Sequence, residues 1–253
     1  MFRPRLIPTL LLKNDVLVKS VKFKNHKYIG DPINAVKIFN ELKADELVLL
    51  DIDATSQGRR ISSDVIRRVG EEANMPFSVG GGISSIADIK EIIACGAEKV
   101  VLNSYAISNP DFIKHAVDYF GSSTIVVCLD IKKNFWGTRN YVFVNNGKKS
   151  TKLLSVEAAK KAEAMGAGEI IVQSIDCDGS MRGYDIELIK SICDSVSIPT
   201  TALGGAGTIQ HIRNLCKSVN VTGIAAGSFF VYQGINKGVL INYPSWKDVI
   251  KLD

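Results

Sequence analysis

The stretch Phe77-Ser78-Val79-Gly80-Gly81-Gly82-Ile83-Ser84-Ser85 runs a short apolar strand into a glycine turn and a helix start, and Pro199-Thr200-Thr201-Ala202-Leu203-Gly204-Gly205-Ala206-Gly207-Thr208 does so again about 125 residues later. The two strands just upstream repeat at the same spacing, one closing on Asp51-Ile52-Asp53 and the other on Asp176-Cys177-Asp178. Self-similarity at a fixed period points to duplicated structural units. Working outward, apolar β-branched runs predict eight strands at Leu6–Leu12, Leu47–Ile52, Phe77–Val79, Lys99–Leu102, Thr124–Ile131, Glu169–Gln173, Pro199–Leu203 and Gly223–Ala226. Continuous apolar strands of this kind belong to a parallel sheet covered on both faces. Helical periodicity falls between them at Pro32–Leu42, Asp64–Glu72, Ile86–Cys95, Pro110–Tyr119, Val156–Met165, Ile186–Asp194 and Ile209–Leu215, with a last helix near Ser245–Leu252. Eight strand–helix pairs in 253 residues fit one closed (β/α)8 (TIM) barrel. The reading is a single domain over residues 1–253, made of half-barrels at roughly 1–122 and 123–253. A four-stranded half on its own would leave raw sheet edges. An open doubly wound sheet is the alternative, but no Gly-x-Gly-x-x-Gly turn follows the first strand. Tyr141–Lys149, centred on Asn146-Gly147, reads as an inserted hairpin.

Composition narrows the function classes. Lysine and arginine number 31 against 26 carboxylates, an excess too small to imply a nucleic-acid partner. Neither a run of roughly 18 apolar residues nor a signal cleavage site is present, so no membrane partner is expected and the cytoplasm is the expected location. Five cysteines without Cys-x-x-Cys spacing argue against zinc and against a disulfide framework. No metal or cofactor is expected. Lys13, Lys19, Lys22, Lys24 and Lys27 fall in what reads as a loop after the first strand, and suggest an anionic small ligand or simply a solvated loop.

In such barrels chemistry sits at the carboxyl ends of the strands. Gly82 and Gly205 open turns whose backbone N–H groups stand beside helix starts, where the dipole favours phosphate. Asn103-Ser104 after the fourth strand and Gly227-Ser228 after the eighth would complete two phosphate sites; tight turns without a ligand are the alternative. Asp130 ends the fifth strand after Val127-Cys128-Leu129, placed either as an acid–base group in the barrel mouth or as a structural loop cap. The matching position on the first strand is Leu11, which cannot exchange a proton. Asp51 and Asp176 are placed to bind ligand hydroxyls or orient Lys19, or else to satisfy loop amides. At the opposite pole Arg5, Glu46, Lys99 and Glu169 precede or open strands and should converge at the amino-terminal mouth. Four charges there form either a stabilising plug or something with a purpose.

These residues together resemble the cyclase subunit family of imidazole glycerol phosphate synthase, nearly end to end. The motifs are Gly30-Asp31-Pro32, Asp45-Glu46-Leu47, Leu50-Asp51-Ile52, Val79–Ile83, Gly166-Ala167-Gly168-Glu169-Ile170, Ser174-Ile175-Asp176-Cys177-Asp178-Gly179, Gly183-Tyr184-Asp185 and Gly204–Gly207. The resemblance implies a barrel that receives ammonia from a separate glutaminase subunit at its amino-terminal face, through a charged gate matched by Arg5, Glu46, Lys99 and Glu169. It implies a bisphosphorylated substrate and two acid–base aspartates, of which Asp130 matches one while Leu11 stands in place of the other. Leu203 replaces a small polar residue beside the second phosphate turn. Leu10-Leu11-Leu12-Lys13, Val21-Lys22-Phe23 and Ala226-Gly227-Ser228-Phe229-Phe230 look like a divergent subgroup associated with surface-polysaccharide synthesis, which would supply ammonia to a sugar amidotransferase. Three functions stand at this stage: an ammonia-receiving subunit for sugar amidation, a cyclase of histidine synthesis, and a phosphosugar isomerase. The gate favours the first two.

Overall fold

The computed structural model describes residues 3–234 and 236–250, with no account of the side chain of residue 250. In chain order the elements are β1 (Arg5–Lys13), β2 (Val16–Val21), β3 (Lys24–Gly30), α1 (Pro32–Glu41), β4 (Leu47–Asp51), α2 (Ser63–Glu72), β5 (Phe77–Gly80), α3 (Ile86–Ala94), β6 (Lys99–Leu102), α4 (Ser104–Ser108) and α5 (Asp111–Phe120). There follow β7 (Ile125–Lys133), β8 (Asn140–Val144), β9 (Lys149–Leu154), α6 (Ser155–Ala164), β10 (Glu169–Ser174), α7 (Ile186–Cys193), β11 (Thr200–Leu203), α8 (Ile209–Ser218), β12 (Gly223–Ala226), α9 (Ser228–Val231) and α10 (Trp246–Ile250). The sequence places the last helix out to Leu252, and residues 251 and 252 lie outside the described residues.

Eight strands pair in parallel and close on themselves in the order β1, β4, β5, β6, β7, β10, β11, β12, with Arg5 opposite Gly223 where the ring joins. This is the expected (β/α)8 barrel. The longer helices each bury one apolar stripe, as Val65, Ile66 and Val69 do on α2, because a 3.6-residue period returns every third or fourth side chain to the same face. The barrel interior is a separate apolar cluster of Ile7, Val48, Val101, Val126, Cys128, Ile171, Leu203 and Ala225, with Leu50 packed on it.

Two hairpins stand on the carboxyl-terminal face. Strands β8 and β9 form the expected insertion, pairing antiparallel with β7 and each other. The lysine-rich segment after the first strand is not a loop. It is the hairpin β2–β3, paired with the end of β1. Lys22 and Phe23 turn it with φ values of 53° and 60°, and Lys22, Lys24 and Lys27 face solvent while Lys19 is buried. Among the described residues no helix is long and apolar enough to cross a membrane.

Candidate functional site

A cavity of about 540 Å³ opens at the carboxyl ends of the barrel strands. Of the sequence-predicted residues for this face, Leu11, Lys19, Asp51, Gly82, Asn103, Ser104, Asp130, Gly205, Gly227 and Ser228 all line it. Asp176 does not. Strand β10 ends at Ser174, and Asp176 turns away to accept the backbone N–H of Lys133 at 3.0 Å. The chain then folds back, with the Asp178 N–H on the Ser174 carbonyl at 3.0 Å, so Asp178 rather than Asp176 is the carboxylate that this strand end gives to the cavity.

The glycine turns are built alike. A Cβ on Gly82 would lie 1.9 Å from the Arg59 carbonyl oxygen, and one on Gly205 would lie 2.0 Å from that of Gly183. Their φ values of +68° and +112° suit glycine. The helices that follow are capped by Ser85 and Thr208, whose side chains accept the N–H groups of Asp88 and His211, and whose φ and ψ agree to within a degree, −142° and 159° against −143° and 159°. Both glycine turns line the cavity beside helix starts, where the helix dipole favours an anion, while the N–H groups of Ser84 and Ser85 are taken by Asp88 and that of Gly207 by His211. Ser104 Oγ donates to Asn103 Oδ1 at 2.9 Å and accepts the N–H of Asn145 at 2.9 Å, tying the β8–β9 turn to the rim.

Burial sets the charges. The Asp130 carboxyl is pushed up to about 7 by burial, against opposing hydrogen bonds from Asn103 and Cys128. It therefore sits where it can both hold and release a proton near neutrality. Burial brings the Lys19 ammonium down to about 8, with the Asp178 charge opposing. Lys19 Nζ donates to the Thr9 carbonyl at 2.7 Å. It occupies the space a side chain at residue 227 would take, since a Cβ on Gly227 would meet Nζ at 2.7 Å. Asp51 does not touch Lys19 by any hydrogen bond. It accepts the N–H groups of Asp53 and Ala54, each at 3.1 Å, and pairs with Arg59 at 2.5 Å. Asp178 accepts from Ser20 Oγ at 2.9 Å, from the Phe23 N–H at 3.4 Å and from Gln173 Nε2 at 3.3 Å. Among the described residues the buried Thr9 Oγ1 and Gln173 Oε1 have no hydrogen-bond partner. Arg59, Gln173 and Asp178 are among the cavity residues the sequence did not single out as functional. The only signal lay in Asp178 itself, at the second position of its Asp-x-Asp pair.

Apolar side chains also line the cavity: Leu11, Leu50, Val101, Cys128 and Leu203. Three of these, Val101, Cys128 and Leu203, also belong to the interior cluster, so cavity floor and barrel core are continuous. At its far end the core meets the four charges predicted to converge, and they do. Arg5 Nη1 bonds Glu46, Arg5 Nη2 bonds Glu169 Oε1 at 2.7 Å, and Lys99 Nζ reaches Glu46 at 3.3 Å and Glu169 at 3.1 Å. Two hydroxyls complete the ring, Ser78 on Glu46 at 3.0 Å and Thr201 on Glu169 at 2.5 Å. Burial alone would raise the Glu169 carboxyl, but the Arg5 and Lys99 charges and the Thr201 hydrogen bond hold it below the usual range.

A closed parallel barrel with two matched glycine turns and a buried carboxylate at one mouth, and an ion-pair ring at the other, defines a (β/α)8 barrel with its candidate site at the carboxyl ends of the strands. The model of the histidine biosynthesis protein family matches residues 5–236, and the chain belongs to that family as a HisF-like barrel subunit. It is 46% identical over 248 residues to a Leptospira interrogans protein provisionally named imidazole glycerol phosphate synthase subunit HisF, covering 98% of each chain. A Pseudomonas aeruginosa protein provisionally named as the hisF2 subunit of the same synthase is 44% identical, over 100% of this chain and 99% of its own. The imidazole glycerol phosphate synthase subunit HisF of Lactococcus lactis is 41% identical, over 92% of this chain and 90% of its own.

Proposed function

We propose that this chain is the ammonia-receiving barrel of a glutamine amidotransferase that serves sugar amidation in surface-polysaccharide synthesis rather than ring closure in histidine synthesis. The observation that carries this reading is the mismatch between the two ends of the barrel. The ion-pair ring is complete, with every carboxylate oxygen partnered, whereas the cavity holds Asp130 opposite a wall containing Leu11. A two-proton-group reaction has lost one group, an effect typically worth ~10²–10⁴-fold in rate, while the ring at the other end keeps all its partners. In this reading a glutaminase subunit docks on the amino-terminal face. Arg5, Glu46, Lys99 and Glu169 swing apart to pass neutral ammonia. The apolar interior keeps that ammonia unprotonated on its way to the cavity. The phosphate cradles at Gly82 with Ser104 and at Gly205 with Gly227 and Ser228 then serve to sense or hold a phosphorylated ligand, Lys19, Asn103 and Asp178 lining the space between them. Two half-barrels of one domain account for the matched cradles.

The cyclase of histidine synthesis is the second reading, favoured by Asp130 with its carboxyl raised to about 7 and by both phosphate cradles. The deciding experiment offers ammonium salts and the ribulosyl bisphosphate intermediate to the purified chain. Little or no imidazole product is expected, and Leu11→Asp should raise it. Robust turnover that Asp130→Asn abolishes would establish the cyclase instead. In parallel, failure of any glutaminase to bind the chain would remove the ammonia route and leave the ring a structural plug.

A further inference from the structure

The carboxyl-terminal face carries a second feature that neither cradle nor ring uses. Strand β7 runs beyond its last barrel pair, Ile131 with Ser174, into a turn that ends on Phe135 and Trp136, which are 95% and 80% exposed. The turn is ordered by its own hydrogen bonds: Asn134 Oδ1 accepts the N–H groups of Thr138 and Arg139 at 2.8 Å and 3.1 Å, and the Gly137 N–H reaches the Asn134 carbonyl at 2.9 Å. The two rings hold each other edge to face, centroids 5.5 Å apart. A rigid turn thus presents a large apolar tip to water, the mark of an interaction site.

Lys132, Lys133 and Arg139 flank that tip in sequence, with Asp176 beside Phe135, and further cations lie toward the other end of β8. Residues 131–156 contain six cations, Lys132, Lys133, Arg139, Lys148, Lys149 and Lys152, and no carboxylate, while residues 16–30 contain four lysines and none. The rest of the chain holds 21 cations against 26 carboxylates. The two hairpins meet over the cavity, since a Cβ on Gly147 would sit 3.0 Å from the Phe23 ring. Of the ten cations only Lys19 is buried, and Lys133 is paired with Asp185.

We propose that the β7–β8 turn and the hairpins β2–β3 and β8–β9 together form a docking surface for a partner protein with an acidic face and an apolar pocket, which seats Phe135 and Trp136 and covers the cavity mouth. An aromatic anchor at one end of a surface and charge along the rest of it is a way for protein interfaces to concentrate affinity at a few residues and orient the encounter. A second copy of this chain would bring like charges together. A bilayer would be pressed against an open polar cavity, and a base stack would find the two rings turned perpendicular to each other. The proposal stands whether or not ammonia is the cargo.

The test places a photoreactive benzoylphenylalanine at residue 135 of the full chain in the cells that produce it, and maps the crosslinks by mass spectrometry. Crosslinks should converge on one acidic surface segment of one protein. That protein, purified, should bind the wild-type chain with marked salt dependence. Phe135→Ser with Trp136→Ser, and separately Lys148→Glu with Lys149→Glu, should each weaken binding at least tenfold with the melting temperature unchanged. Absence of crosslinks, crosslinks to a second copy alone, or variants that bind as tightly as wild type would overturn the proposal. So would crosslinks only to lipid or nucleic acid, or sedimentation of the chain with phosphatidylglycerol vesicles in place of any protein partner.

Discussion

A carboxylic acid and an amine are both buried at the cavity, and each titrates out of its ordinary range in a way that stability measurements can read. Folding favours the neutral form of Asp130, which ionises at about 7 in the native state against ~3.9 unfolded. The cost of ionising it therefore grows as pH rises from 4 to 7 and is complete above that, on the order of 2–4 kcal/mol. Asp130→Asn should be more stable than wild type at pH 8 and indistinguishable from it near pH 4, as urea unfolding at the two pH values would show. Lys19 behaves in the mirror sense. Its native ionisation at about 8 lies below the unfolded ~10.4, so the burden of its charge is full below pH 8 and gone above pH 10.5. Lys19→Met should raise the melting temperature at pH 7, with the gain fading towards pH 10.5; an unchanged gain across that range would mean the amine is not desolvated. Asp130 was legible in the sequence because an ionisable residue closes a run of apolar ones. Asp178 was not, because Asp176 and Asp178 look equivalent until the strand is seen to stop at Ser174, leaving the first to face outward and the second to come back over the barrel.

Among the elements, the glycine turns were readable and the first hairpin was not, for a reason rooted in backbone geometry. A turn that needs positive φ advertises itself when it uses glycine, as at Gly82 and Gly205. The β2–β3 turn uses Lys22 and Phe23 in the same left-handed region, which carries no such signal, and β3 is exposed along most of its length, so it lacks the alternation that marks a strand. Gly82→Ala should destabilise the protein by ~1–3 kcal/mol, because the added methyl meets the Arg59 carbonyl and the φ is strained. Sulfate titration followed by crystallography should then show the anion lost at Gly82 and Ser104 yet retained at Gly205 and Ser228. Loss at both would mean that the cradles are coupled, and density at neither in the wild type would remove the phosphate assignment.

At the scale of the whole molecule the ring of charges was legible from position alone, each residue preceding or opening a strand, but Ser78 and Thr201 emerged only from the closed barrel. Glu169→Gln would leave Arg5 and Lys99 with Glu46 as their one charged partner. The expected loss is ~1–3 kcal/mol, below the full value for a buried pair because the two cations keep about a quarter of their side-chain surface in water. Wild-type stability from this carboxylate should disappear as pH falls through its lowered native value, and a flat comparison of the two proteins between pH 7 and pH 3 would contradict the ring. The join of β1 to β12 has a different consequence, one that concerns synthesis. Arg5 must wait for Thr222 and Gly223, so the first strand made stays unpaired on one side until nearly the whole chain has left the ribosome. A nascent barrel with seven strands offers two apolar edges at once. A chain stopped at residue 218 should collect in inclusion bodies, and translation slowed before that point should raise the nascent chain's dependence on chaperones.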